Sequence, residues 1–140
     1  MADIVFYAKP GCLTNRRQQA LLRRLGHRVT VRDLLSEPWT AERLYEFLKS
    51  LPIIEWFNLA APAIKLGTLD PAGLDASAAL RLLVDDPVLI RRPLMETGDD
   101  RYAGFESSQM QTQLGINAQH GRNHAACSRL DGHGTCSGGG

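Results

Sequence analysis

Apolar positions along the first hundred residues follow two different periods, and each period predicts an element. Residues 3–8, "DIVFYA", form a short apolar run rich in β-formers, the pattern of a strand covered on both faces. In the next segment Leu21, Leu22 and Leu25 share one helical face, the arginines lie elsewhere, and Gly26 predicts the stop. "HRVTVRDL" then alternates with period two and reads as a second strand. Strand, helix and strand with short links predict a parallel, right-handed βαβ unit.

Helical periods dominate the middle of the chain. Thr40 is a good N-cap, and Leu44, Phe47, Leu48 and Leu51 fall at i, i+3, i+4 and i+7. Pro52 ends that helix and opens a short one through Trp56 and Phe57. Asp75 caps a further helix, "ASAALRLLV", which stops at Asp85-Asp86-Pro87. "VLIRRPLMETGDDRYAGF" reads as two strands around the turn Gly98-Asp99-Asp100, an antiparallel hairpin. This order matches an α/β fold with a thioredoxin-like mixed four-stranded sheet covered by helices, the middle helical stretch being an insertion.

Composition changes near Phe105. Residues 106–140 are rich in Gln, Asn, Gly, Ser and His, with few large apolar side chains to offset their ordering entropy. The expected organisation is therefore one domain over residues 1–105 and a polar, flexible tail over 106–140. The chain of 140 residues is long enough for a hydrophobic core. Its net charge of +1 is too small for a protein built on nucleic-acid binding. No apolar run reaches membrane-spanning length, and "MADIVF" lacks the features of a secretory signal, so a cytoplasmic protein is expected. Cys12, Cys127 and Cys136 are odd in number and do not suggest a disulfide framework.

Cys12 stands apart by its setting in "YAKPGCLTNRRQ". A loop that leaves a parallel strand and opens a helix puts its residues at the helix N-terminus. Unpaired N–H groups and the macrodipole favour negative charge there, and a thiolate is such a charge. Gly11 allows a tight turn and Pro10 stiffens the approach. Thr14 and Asn15 can add hydrogen bonds to the sulfur or a bound oxyanion, and Arg16 lies about one helical turn on. The set suits nucleophilic attack on a disulfide or an oxyanion. The alternative is a small buried thiol that only fills space. "IRRP", residues 90–93, is the second signal. In a thioredoxin-like sheet the residue before a strand-opening proline faces the cysteine loop, and its peptide bond to the proline is often cis. Arg92, before Pro93, would then offer a planar fork to an oxyanion or a carboxylate.

With Cys12, Arg16 and "PVLIRRPLME" together, residues 2–105 resemble the arsenate-reductase (ArsC-like) and Spx-related family of thioredoxin-fold proteins. "YAKPGC", "VRDLLSEPWT", "EWFNLAAPAIK" and "DPVLIRRPLME" look closest to its nitrogenase-associated subgroup, whose members occur with nitrogen-fixation systems. The resemblance implies a monothiol oxidoreductase with Cys12 as nucleophile, glutathione or glutaredoxin as reductant, no bound cofactor, and nitrogenase-related proteins as partners. In the family's arsenate reductases three arginines hold the oxyanion. Arg92 matches one, whereas the other two fall near Asn58 and Gly104, and the family's histidine before the cysteine is Ala8. The second cysteine of the Spx-type pair is replaced by Asn15. Two missing charged donors, at about 1.5–3 kcal/mol each, argue against arsenate as the substrate. A non-enzymatic accessory protein of nitrogenase maturation is the competing expectation. His120, His124, Cys127, His133 and Cys136 have zinc-like spacing, but their glycine-rich setting predicts no built metal site.

Overall fold

The computed structural model describes residues 2–116. Strand β1 (Asp3–Ala8) leads into helix α1 (Leu13–Arg24) and returns through strand β2 (Arg28–Asp33). Helices α2 (Ala41–Leu48), α3 (Pro62–Lys65) and α4 (Ala76–Asp85) follow, separated by 3-10 turns at Ile53–Trp56 and Pro71–Gly73. A third 3-10 turn, Pro87–Leu89, precedes strands β3 (Leu94–Thr97) and β4 (Asp100–Ala103), and helix α5 (Ser108–Leu114) comes last. The sheet runs β2-β1-β3-β4, with β1 and β2 parallel and the other two pairings antiparallel. This is the mixed four-stranded, thioredoxin-like α/β plan.

Alternation along β1 divides the core. Ile4, Phe6 and Ala8 point to one face, where they meet Leu21 and Leu22 of α1, Met95, and Met110 and Leu114 of α5. Tyr7 points to the other, into a cluster with Trp39, Leu44, Phe47, Leu48, Leu83 and Leu94. The expected caps form: Thr40 Oγ1 accepts from the Arg43 N–H at 3.1 Å, and Asp75 Oδ1 from the Ala78 N–H at 2.8 Å. Gly26 takes a φ of 95° just beyond α1.

Two expectations change. The "VLIRRP" stretch is not strand: Pro87 opens a 3-10 turn, a single bridge joins Ile90 to Phe57, and β3 begins only after Pro93. The polar tail also does not begin at residue 106. Met110, Leu114 and Ile116 are buried against the sheet, and Ser107 caps α5 by accepting from the Met110 N–H at 3.3 Å. His27 ties this helix down, with Nδ1 3.0 Å from the Ala2 N–H and Nε2 2.6 Å from the Leu114 carbonyl. Two apolar side chains on one face, with Ile116 just beyond the helix, suffice to dock seven residues. The His120–Cys136 group lies outside the described residues. Among the described residues, no helix is long and apolar enough to cross a membrane.

Candidate functional site

β1 ends at Ala8, and the chain turns through Lys9, Pro10 and Gly11 before α1. The Cys12 N–H donates to the Lys9 carbonyl at 3.1 Å, closing the turn. Gly11 sits at φ 82°, a conformation that side-chain-bearing residues reach only at a cost. Cys12 is the N-cap residue of α1, and the first turn of that helix carries no acidic side chain. The positive end of a twelve-residue helix therefore meets the cysteine with no carboxylate of its own to neutralise it.

Asn15 has its amide engaged on both sides. Its Oδ1 accepts from the Lys9 N–H at 3.1 Å, and its Nδ2 donates to Gln18 Oε1 at 3.0 Å. The geometry gives it a loop-holding position: the side chain of the helix's third residue pins the turn three residues before the cysteine. Thr14, Asn15 and Gln18 make a buried polar stretch on α1, while Arg16 is exposed.

Arg92 arrives from the other side of the sheet's end. Its peptide bond to Pro93 is cis, and the backbone on both sides is anchored. The Arg91 N–H donates to the Trp56 carbonyl at 3.0 Å, and the Gly104 N–H to the Pro93 carbonyl at 2.7 Å. The Arg92 side chain is only 7% exposed. Burial pulls its pKa down, and the charge of Cys12 and a side-chain hydrogen bond to it pull the other way. Arg92 and Cys12, far apart in sequence, are thus direct partners.

Lys9 is a site residue that the sequence reading passed over. Burial lowers its pKa, the like charge of Arg92 lowers it further, and Cys12 opposes both. Its signal was available: a lysine three residues before the cysteine, on the same tight turn. A groove of about 240 Å³ opens beside this loop, and Lys9, Cys12, Arg16, Arg32 and Asp33 are among its walls.

Cys12 itself is 0% exposed. Its enclosure includes the Arg92 guanidinium, and it belongs to neither of the two apolar clusters.

The two positions where further arginines were in question are occupied otherwise. Asn58 is buried, with its N–H donating to the Leu89 carbonyl at 2.7 Å and its Oδ1 accepting from the Ala60 N–H at 3.1 Å. At Gly104 a Cβ would lie 2.5 Å from Arg91 Nε, so the Arg91 guanidinium covers that glycine. Arg91 is in turn paired with Glu106 at 2.5 Å. Among the described residues, no three His, Cys, Asp or Glu side chains are grouped as metal ligands.

A thiol at a helix N-terminus, partnered by an arginine that precedes a cis-proline on a thioredoxin-like sheet, defines a class of proteins. Residues 58–113 match the ArsC family. The chain is 46% identical over 119 residues to an uncharacterized 15.7 kDa protein in the draG 3′ region of Rhodospirillum rubrum, covering 85% of this chain and 83% of that one. An arsenate reductase from Vibrio cholerae has the same fold, with a TM-score of 0.63 at 24% identity over 83% of this chain and 98% of that one. An arsenate reductase (ArsC) related protein from Brucella melitensis gives 0.60 at 25% identity, covering 81% and 96%. The chain belongs to the ArsC family.

Proposed function

We propose that this protein is a cytoplasmic monothiol oxidoreductase in which Cys12 attacks a disulfide and glutathione or glutaredoxin restores it. The observation that carries this reading is the Arg92–Cys12 pairing at the start of α1. A thiolate there gains a charge-assisted hydrogen bond, and the helix end supports the same charge. In the first step a Cys12 Sγ–S bond forms as the substrate S–S bond breaks, and the electron pair leaves on the departing sulfur. Attack by a glutathione thiolate on the mixed disulfide then releases Cys12 and transfers the oxidation to glutathione. Arg16 lines the approach in this scheme, Thr14 and Pro93, both buried, flank the Cys12–Arg92 pair in sequence, and Asn15 holds the loop.

Arsenate is a weaker substrate reading, because Asn58 carries no charge and Gly104 has no side chain. The test is glutathione- and glutaredoxin-coupled reduction of a small disulfide. Turnover that disappears in Cys12→Ser supports the reading, and turnover that survives that change removes it.

A second reading has one observation behind it. The two anion-holding positions carry no charge, as in a fold kept for binding rather than chemistry, and four segments resemble the nitrogenase-associated subgroup. As an accessory protein it would form a complex with nitrogenase components. Pull-down from nitrogen-fixing cells with wild type and Cys12→Ser separates the two readings, since only the accessory reading expects the complex to survive unchanged.

A further inference from the structure

The groove beside Cys12 is walled by three cations, Lys9, Arg16 and Arg32, against one carboxylate, Asp33. Their charges are not equally available. Arg32 Nε is matched by Glu37 at 3.1 Å. The Asp33 carboxylate accepts from the Leu35 N–H and the Ser36 hydroxyl, each at 2.8 Å. Among the described residues, neither Lys9 nor Arg16 forms an ion pair. Two unmatched cations therefore face a groove that the cysteine also lines. Val31, 44% exposed, supplies its apolar floor. At about 240 Å³ the groove is below the usual size for a drug-like ligand, and suits one amino-acid-sized half of a disulfide.

We propose that this groove is the subsite for the negatively charged half of a small disulfide substrate, and that Lys9 is the residue that selects for that charge. The inference rests on the disulfide-exchange reading given above and adds a substrate class to it. Attack by the Cys12 thiolate forms the Sγ–S bond and breaks the substrate S–S bond. The leaving thiolate, with its carboxylate, departs past Lys9 and takes a proton from water. Lys9 is partly buried, its backbone is fixed on the turn by hydrogen bonds from its N–H and to its carbonyl, and its charge is close enough to Cys12 to feel it. Burial and Arg92 both press it towards giving up its proton. A bound anion relieves that pressure.

The experiment uses the full chain with Cys127→Ser and Cys136→Ser, so that Cys12 is the one reactive thiol. Its rates with dianionic dithiobis(nitrobenzoate) and with neutral dithiodipyridine are compared. Changes in the thiolate itself affect both probes, so the ratio isolates substrate charge. Lys9→Gln should lower the charged-to-neutral ratio by about fivefold, the upper end for a partly exposed charge pair. Lys9→Arg should restore it, and high salt should bring the parent ratio towards that of Lys9→Gln. A ratio unchanged in Lys9→Gln, with Cys12 still fast, overturns the subsite and leaves the disulfide reading standing. Cys12 no faster than free cysteine with either probe overturns both.

Discussion

Replacing Arg92 by methionine separates chemistry from stability. The guanidinium is buried and bonded to Cys12, and its contribution to the thiolate is that of a hydrogen bond between charged groups, about 1.5–3 kcal/mol. A thiolate loses nucleophilicity as it is stabilised, with a Brønsted slope of about 0.4–0.5, so about half of that energy reaches the rate, a fall of about 4- to 20-fold in disulfide opening at neutral pH. Stability should not fall with it. Removing one partner of a buried pair is costly where it strands a charge, but the Cys12 thiol can take up a proton, and an apolar side chain of similar length fills the space. The midpoint of thermal unfolding should therefore move by less than about 4 °C. Single-turnover formation of the mixed disulfide, followed by stopped-flow with calorimetry alongside, gives both numbers. Arg92→Lys should fall between, since it keeps charge and loses the planar fork. A rate within about twofold of wild type would refute the partnership, because the hydrogen bond would then contribute nothing to reaction. A rate and a midpoint that drop together would also refute it, showing that Arg92 serves the fold.

Three further outcomes follow from the same structure. Tyr7 donates to Glu96 at 2.8 Å and accepts from Arg43 at 3.0 Å, and burial, with the Glu96 bond and charge, pushes its hydroxyl up to about 12 against the pull of Arg43. A proton held more tightly in the native chain gives stability that is whole below the ordinary value of 10.0 and lost as the pH climbs towards 12. Denaturant midpoints of wild type should therefore fall more steeply than those of Tyr7→Phe across that window, and parallel curves would contradict it. Leu114→Ala should cost about 2–5 kcal/mol in urea unfolding, because a side chain only 2% exposed leaves a cavity under α5. A cost under about 0.5 kcal/mol, the size of a surface change, would show that α5 is not part of the core. Gly104→Ala should destabilise by more than about 1 kcal/mol, since φ is 84° and the new Cβ meets the Arg91 guanidinium.

Much of the scaffold is legible in the residues because its signals are local. The apolar run of β1, the Gly26 stop and the Thr40 and Asp75 caps each act within a few positions, and the structure has all of them. Pro93 likewise marks the cis bond at the start of β3. What composition hid is α5, where glutamine and serine surround Met110 and Leu114, so an average over the segment reads as polar although one face is apolar. The site divides the same way. The candidates Cys12 and Arg92 stand out as types at motif positions, but their contact depends on β1 and β3 being neighbours in the sheet. The engagement of Asn15 with the Lys9 N–H and Gln18, and the nearness of Lys9 to the sulfur, arise from the turn's path. No spacing rule contains that path.

Nothing tests the account more directly than the order in which the chain's three thiols react in the native state. With limiting glutathione disulfide and intact-mass and peptide readout, the folded protein should carry its first glutathione on Cys12, ahead of Cys127 and Cys136. The label should appear despite complete burial of the side chain, and one glutathione thiol should remove it. A native protein modified elsewhere while Cys12 stays unlabelled until unfolding would contradict the account, leaving that residue as packing beneath an arginine.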